Sequence, residues 1–181
     1  MPPTFHVPAH PGSTGEAVSR RMSTLKRKDN DAELAVRRLL HAAGYRYRVH
    51  YPVPGLPRRT LDIAFTRAKV AVFIDGCFWH GCPDHGTNPA ANRSWWDAKL
   101  AANCARDRDT TTHLGSLGWT VIRAWEHDNP RDIVSRVVSA VSTAGVLQGQ
   151  RVCGNDEAPD AVKLPIQPGW PSVLPWESRE V

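Results

Sequence analysis

"TLDIAFTRAKVAVFIDGCFWHGCPDHG", Thr60–Gly86, decides how the rest of this 181-residue chain is read. Its segments "TLDIAFTR" and "KVAVFIDG" are β-rich and apolar. They are expected to pair as a hairpin inside a central sheet. Each is interrupted by one carboxylate, Asp62 in the first and Asp75 in the second. After Gly76 the apolar run gives way to a Gly- and Pro-rich stretch with no period, which reads as a loop. That loop carries Cys77, His80, Cys82 and His85 beside Phe78 and Trp79.

Working outward from the hairpin, the chain alternates helix and strand signals. Upstream, Asn30 or Asp29 can cap a helix starting near Asp31. Its apolar face is Leu34, Ala35, Val36, Leu39, Leu40 and Ala43, and Gly44 should stop it. "YRYRVHYPV", Tyr45–Val53, alternates like a strand, and "PGLPRR" reads as a turn. Downstream, Ser94 should cap a helix through "SWWDAKLAANCARDRDTTTHLGSLG", closed by Gly118. "WTVIRAWEHD" reads as a strand, and "PRDIVSRVVSAVSTAG" as a helix from Pro130 to Gly145. This order gives an α/β fold, a mixed sheet flanked by helices, with ligand sites at strand ends. Residues 1–20 are rich in Pro, Gly, Ser and Thr and are expected as a disordered leader. Residues 21–146 form the expected folded domain, and 147–181 a Pro-rich tail.

Charge is unevenly spread. Arg20–Lys69 holds 13 basic and 4 acidic residues, a net of +9, whereas Asp128 to the C-terminus holds 5 and 7, a net of −2. A basic third points to a polyanion, nucleic acid first. Lys26, Arg27 and Lys28 form the densest basic run, a short helix or arm. The first 15 residues have no apolar core of the signal-peptide kind, and no run of about 18 apolar residues occurs. A reducing cytoplasm with free or metal-bound thiols, and no membrane span, is therefore expected.

Cys77, Cys82 and His85 have C-x4-C-x2-H spacing in a Gly/Pro loop. Structural zinc takes four nitrogen or sulfur ligands in a tetrahedron. His127, at the end of the last strand, is preferred as the fourth. Cys104 is the alternative, but it falls on the apolar stripe with Leu100, where a cysteine usually serves as core. A buried strand carboxylate is costly unless it is paired or holds a metal. Asp62 and Asp75, on adjacent strands, can converge on one hard cation such as Mg²⁺, the arrangement used for metal-assisted phosphodiester hydrolysis. The outline is that of restriction-nuclease active sites, except that Cys77 occupies the usual lysine position. His80 is then the natural general base. The competing readings are a salt bridge from Asp62 to Arg58 or Arg59, an Asp-Gly turn at Asp75, and a zinc-ligand or supporting role for His80.

At these residues the chain resembles the very short patch repair (Vsr) endonucleases, strand-specific nickases of T:G mismatches. The likeness runs from about Met22 to Val138. It is carried by "MSTLKRKDNDAELAVRRLLHAAGYRYRVH", "LPRRTLDIAF", "VFIDGCFWHGCPDHG", "NCARDRD" and "LGWTVIRAWEH". The resemblance implies a restriction-endonuclease-like three-layer fold with a structural Zn²⁺ on Cys77, Cys82, His85 and His127. It implies catalytic Mg²⁺ on Asp62 and the Ile74 carbonyl, His80 as the water-activating base, and Glu33 and Asp107 as accessory acids. Phe78, Trp79 and Trp96, with Trp95 adjacent, would wedge into the duplex, where an aromatic unstacks a mismatched step most cheaply. One residue of each aromatic pair is expected to be exposed. Leu61 stands where the family often has proline. Asp75 stands where its well-known form has a second catalytic histidine, which leaves Asp75 as a possible second Mg²⁺ ligand.

The implied function is nicking 5′ of the thymine in T:G mismatches left by 5-methylcytosine deamination. Double-stranded DNA would be the substrate and a monomer the working form, in the nucleoid-associated cytoplasm. Mismatch-repair proteins and a cytosine methyltransferase are the implied associates. Two alternatives stay open: a nuclease with another mismatch, modified base or double-strand target, and a non-catalytic zinc-containing DNA-binding module.

Overall fold

The computed structural model describes residues 5–12, 29–87 and 89–150. Lys26, Arg27, Lys28, Cys153, Trp170 and Trp176 lie outside the described residues. The elements are α1 (Asp31–Ala42), β1 (Arg48–Val53), β2 (Leu56–Phe65), β3 (Val70–Asp75), α2 (Arg93–Ser116), β4 (Thr120–Trp125) and α3 (Pro130–Gln150).

Local chemistry sets most of these boundaries. The Asn30 side chain accepts from the Glu33 N–H at 2.7 Å, and Glu33 Oε2 accepts from the Asp29 N–H at 3.0 Å, so both groups cap the start of α1. Gly44, at φ +85°, closes α1, with the Tyr45 N–H reaching back to the Leu40 carbonyl. Gly118 does the same for α2, with the Trp119 N–H on Leu114. Asn129 caps α3 by accepting from the Arg131 N–H at 2.9 Å.

Several boundaries differ from expectation. Helix α2 begins at Arg93 behind Asn92, which sits in the left-handed region at φ 56°, so Ser94 is not the cap. Helix α3 runs through Gly145 to Gln150, because an interior glycine weakens a helix without stopping it. The turn after β1 shrinks to Pro54–Gly55, and Leu56–Arg59 join β2. Tyr45 and Tyr47 precede β1, packing edge-on against Phe65 with centroids 6.2 and 5.9 Å away. Residues 5–12, expected within a leader without structure, carry specific contacts. Trp95 Nε1 donates to the Pro8 carbonyl at 2.9 Å, and the His10 ring meets Trp95 edge-on at 4.4 Å.

The sheet order is β1-β2-β3-β4. The first two pairings are antiparallel and β3–β4 is parallel, so the sheet is mixed. A parallel neighbour requires a crossover, which α2 supplies. Every residue of β3 is buried, as a central strand demands. One face carries Ile63, Val72, Ile74 and Ile122 against Val36 and Leu40 of α1 and Ile133 and Val137 of α3. The other carries Ala71 and Phe73 with Val53, Leu61 and Leu114 of α2. Leu61 and Ile63 fall in different clusters although they are two residues apart, so the β2 alternation breaks at Asp62. Across from it, between the pairs Val49–Ile63 and Tyr51–Leu61, His50 adopts φ 48°. This disturbance of both strands turns Asp62 out of the regular pleat.

Truncating Ile63, fully buried between sheet and helices, is expected to cost about 2–5 kcal/mol in denaturant unfolding. Leu117→Ala, at an exposed position, should stay within about 0.5 kcal/mol of wild type.

Candidate active site and metal centre

Parallel strands end at the same edge of a sheet. Asp75 therefore pairs with Trp125, and the residues after each strand run side by side. The Glu126 N–H donates to the Asp75 carbonyl at 2.9 Å, and the Cys77 N–H donates to Glu126 Oε1 at 2.7 Å. The next residue, His127, brings Nδ1 within 3.0 Å of Cys77 Sγ and 3.9 Å of Cys82 Sγ. The loop then folds back on itself. The Cys82 N–H donates to the Cys77 carbonyl at 3.0 Å, and Gly86 packs so tightly that a Cβ would lie 2.4 Å from the Cys82 carbonyl oxygen. Only glycine fits there, and it brings His85 Nδ1 to 3.9 Å from Cys82 Sγ.

The ligand atoms of Cys77, Cys82, His85 and His127 all lie within 4.8 Å of one another. A zinc tetrahedron with bonds of about 2.0–2.3 Å has edges of roughly 3.3–3.8 Å, so this S₂N₂ set fits a tetrahedral metal after small side-chain rotations. Burial, then the neighbouring Cys82 sulfur and Glu126, pushes the Cys77 thiol up to about 12. A divalent cation reverses that preference and makes the thiolate the stable form. Cys104 is not part of the group. It is buried on α2 and its thiol donates to the His80 carbonyl at 3.4 Å, so it ties the loop to the helix.

The polar residues of the same edge form a second constellation. Asp107 of α2 accepts from His80 Nδ1 through Oδ2 at 2.6 Å, and Asp75 Oδ1 lies 3.5 Å from the same nitrogen. Burial would lower the His80 pKa, but the Asp107 hydrogen bond and the charges of Asp75 and Asp107 outweigh it and raise it. Asp107 shifts down, because His80 and Arg123 overcome its own desolvation. Asp75 does not stand free for a cation as expected. Arg123 donates to both its oxygens, Nε to Oδ2 at 2.7 Å and Nη2 to Oδ1 at 2.6 Å. A bidentate guanidinium is a strong carboxylate partner, so this buried charge is neutralised within the protein.

Asp62 has a different environment. Its Oδ2 accepts from the Ile74 N–H at 2.8 Å. Burial raises its pKa to about 6, with the Ile74 bond opposing and the Glu33 and Asp75 charges adding. Arg59 does not pair with it, since its guanidinium donates to Asp109 and Thr110 at 2.6 and 2.8 Å. Glu33 is buried and accepts from Arg37 Nη2 at 3.0 Å. That same nitrogen lies 3.4 Å from the Asp62 carbonyl, so Glu33 supports the Asp62 strand through Arg37.

Phe78, Trp79 and Trp96 form one aromatic cluster, with centroids 5.0, 5.2 and 6.0 Å apart, and Trp95 joins at 4.8 Å from Trp96. All four are half-buried. The expected split into one buried and one exposed member of each pair does not occur, because each ring shields its neighbours. The Asn103 amide donates to the Trp79 carbonyl at 3.0 Å and fixes the loop to α2. Arg123, Glu126 and Asn103 escaped the reading of the sequence. Only Arg123 left a signal there, as a charge inside the apolar strand "TVIRAW".

Residues 13–85 match the family model described as DNA mismatch endonuclease Vsr. The chain is 42% identical over 135 residues to the type II nicking enzyme V.NaeI of Lentzea aerocolonigenes, covering 73% of this chain and 81% of the relative. It is 31% identical over 110 residues to the DNA mismatch endonuclease Vsr of Escherichia coli K12, covering 60% and 68%. The chain belongs to the Vsr family of DNA endonucleases. The non-catalytic DNA-binding alternative gives way to that membership. Among the described residues, no helix of this Vsr-family chain is long and apolar enough to cross a membrane.

Metal analysis of purified protein should find one equivalent of tightly bound metal. Cys77→Ser should lose it together with thermal stability, whereas Cys104→Ser should retain it. Retention of full metal content by Cys77→Ser would reject this ligand set.

Proposed function

We propose that this chain is a Mg²⁺-dependent endonuclease that nicks one DNA strand 5′ of the thymine in T:G mismatches left by 5-methylcytosine deamination. The observation that carries the reading is the hydrogen bond from His80 to Asp107, on the loop that also bears Phe78 and Trp79. A base and a group able to unstack a duplex thus share one short segment. The names of the relatives, nicking enzymes and a mismatch endonuclease, support single-strand cutting at a mispair. The helices on both sheet faces support a restriction-endonuclease-like three-layer fold for residues 21–146.

In this mechanism Asp62 and the Ile74 carbonyl would hold Mg²⁺. The cation supplies Lewis-acid stabilisation of the charge developing on the scissile phosphate. His80 donates through Nδ1 to Asp107, which leaves Nε2 to take the proton of the attacking water. The water oxygen bonds to phosphorus as the scissile P–O bond breaks, and the departing 3′ oxygen takes a proton from solvent. Glu33, through Arg37, holds the Asp62 strand in place. Zn²⁺ on Cys77, Cys82, His85 and His127 braces the loop; zinc is proposed because two thiolates and two imidazoles are its usual structural ligands. Phe78, Trp79 and Trp96, with Trp95, enter the duplex beside the mispair. Lys26, Arg27 and Lys28 contact the phosphate backbone, which makes binding salt-dependent.

Labelled duplexes carrying T:G, other mispairs, modified bases or full complementarity test the assignment. The T:G duplex should be nicked fastest and on the T strand only; equal cutting of matched DNA would reject mismatch specificity. Asp62→Ala should lower the cleavage rate by about 10²–10³-fold while DNA binding persists. Undiminished cleavage by Asp62→Ala would reject the metal site.

A further inference from the structure

Arg123 is the one charged side chain of β4, and it lies beneath the His80 loop with its side chain 11% exposed. Its guanidinium sits over the Phe73 ring, 4.7 Å from the centroid. It grips Asp75 through two hydrogen bonds of 2.6 and 2.7 Å, and its Nη2 is 3.3 Å from Asp107 Oδ1. Asp107 therefore meets Arg123 with one oxygen and His80 with the other, 2.6 Å away. A carboxylate held at both oxygens cannot rotate without losing a partner. Asp75, also on Arg123, stands 3.5 Å from the same His80 nitrogen. The ring is thus seated against two carboxylates whose orientations one guanidinium sets.

We propose that Arg123 is a positioning residue of this endonuclease, fixing Asp75 and Asp107 so that His80 is held with its outer nitrogen aimed at the attacking water. The proposal rests on the reading of His80 as the base. Arg123 is too deeply covered to touch the phosphate itself. Its planar fork matters, because a lysine presents a point charge and cannot span both carboxylates in one geometry. Asp75, which replaces the second histidine of the family's well-known form, then serves as an anchor for Arg123.

The test is single-turnover cleavage of the duplex that the wild-type protein cuts fastest, measured with DNA affinity, metal content and thermal unfolding. Arg123→Met is expected to slow the cleavage step about 10²-fold, the scale of a misplacement of about 1 Å in a catalytic group. DNA affinity should change by less than about threefold, and Arg123→Lys should fall between Met and wild type. Arg123→Met leaves the buried Asp75 without its guanidinium and the part-buried Asp107 with His80 alone. Arg123→Met/Asp75→Asn removes the first of these charges, provides a folded comparison if the single variant unfolds, and should show the same loss. In a His80→Ala background, Arg123→Met should slow cleavage by no more than about twofold further, because the two residues act as one unit. A wild-type rate in either folded Arg123 variant overturns the proposal. So does a loss accounted for by weaker DNA binding, or a full additional loss in the His80→Ala background. A wild-type rate for His80→Ala itself would fail the reading of the base, an outcome distinct from these.

Discussion

The parallel pairing of β3 with β4 is the constraint on which the rest of this molecule depends. It sets Asp75 beside Trp125 and so brings Cys77 alongside His127, 50 residues later in the chain. It obliges the chain to cross over, and the crossover helix α2 delivers Cys104 and Asp107 to the same edge. It places Arg123 across from Phe73 on the α2 face. A slip of one residue would turn Arg123 toward the opposite, apolar face and Ile122 toward α2. The apolar clusters on the two faces forbid that slip, so hydrophobic burial far from the chemistry fixes the geometry of the polar edge.

The polar edge has its own internal logic. Buried charges are tolerated when each has a geometrically good partner, and breaking such a pair costs about 3–5 kcal/mol. Asp75 and Asp107 have Arg123 and His80, whereas Asp62 has a backbone N–H and the repulsion of nearby acids. The result is two carboxylates pushed in opposite directions, Asp62 up to about 6 and Asp107 down. Environments that separate like groups in this way assign them different work. Asp107 is kept anionic as a hydrogen-bond acceptor. Asp62, with no cationic side chain hydrogen-bonded to it among the described residues, is pushed toward its neutral form.

Much of this could be read from residue order. The hairpin, the α/β class and the four-ligand cluster follow from apolar runs and from ligand spacing. His127 was the preferred fourth ligand because it ends a strand, and the register of β3 with β4 supplies the physical reason. The supporting cast was harder to see. An arginine in "TVIRAW" announces a buried charge but not its partners, which come from a strand and a helix elsewhere in the chain. The break at Asp62 lies opposite the positive-φ His50 on the neighbouring strand, and no local pattern in "TLDIAF" encodes it. The contacts of residues 5–12 were missed because Pro-rich composition speaks against periodic structure and says nothing about docking onto Trp95.

Phe78 and His80 are separated by two peptide units, a span of at most about 7 Å. Stacked bases are spaced by about 3.4 Å along each strand. In the proposed reading, the residue that pries the duplex apart and the residue that activates water thus have Cα atoms within about two base steps of each other, on a loop held by the Cys/His knot and by Asn103. In that reading the wedge and the general base ride on one loop, so a substitution that shifts the loop moves both together.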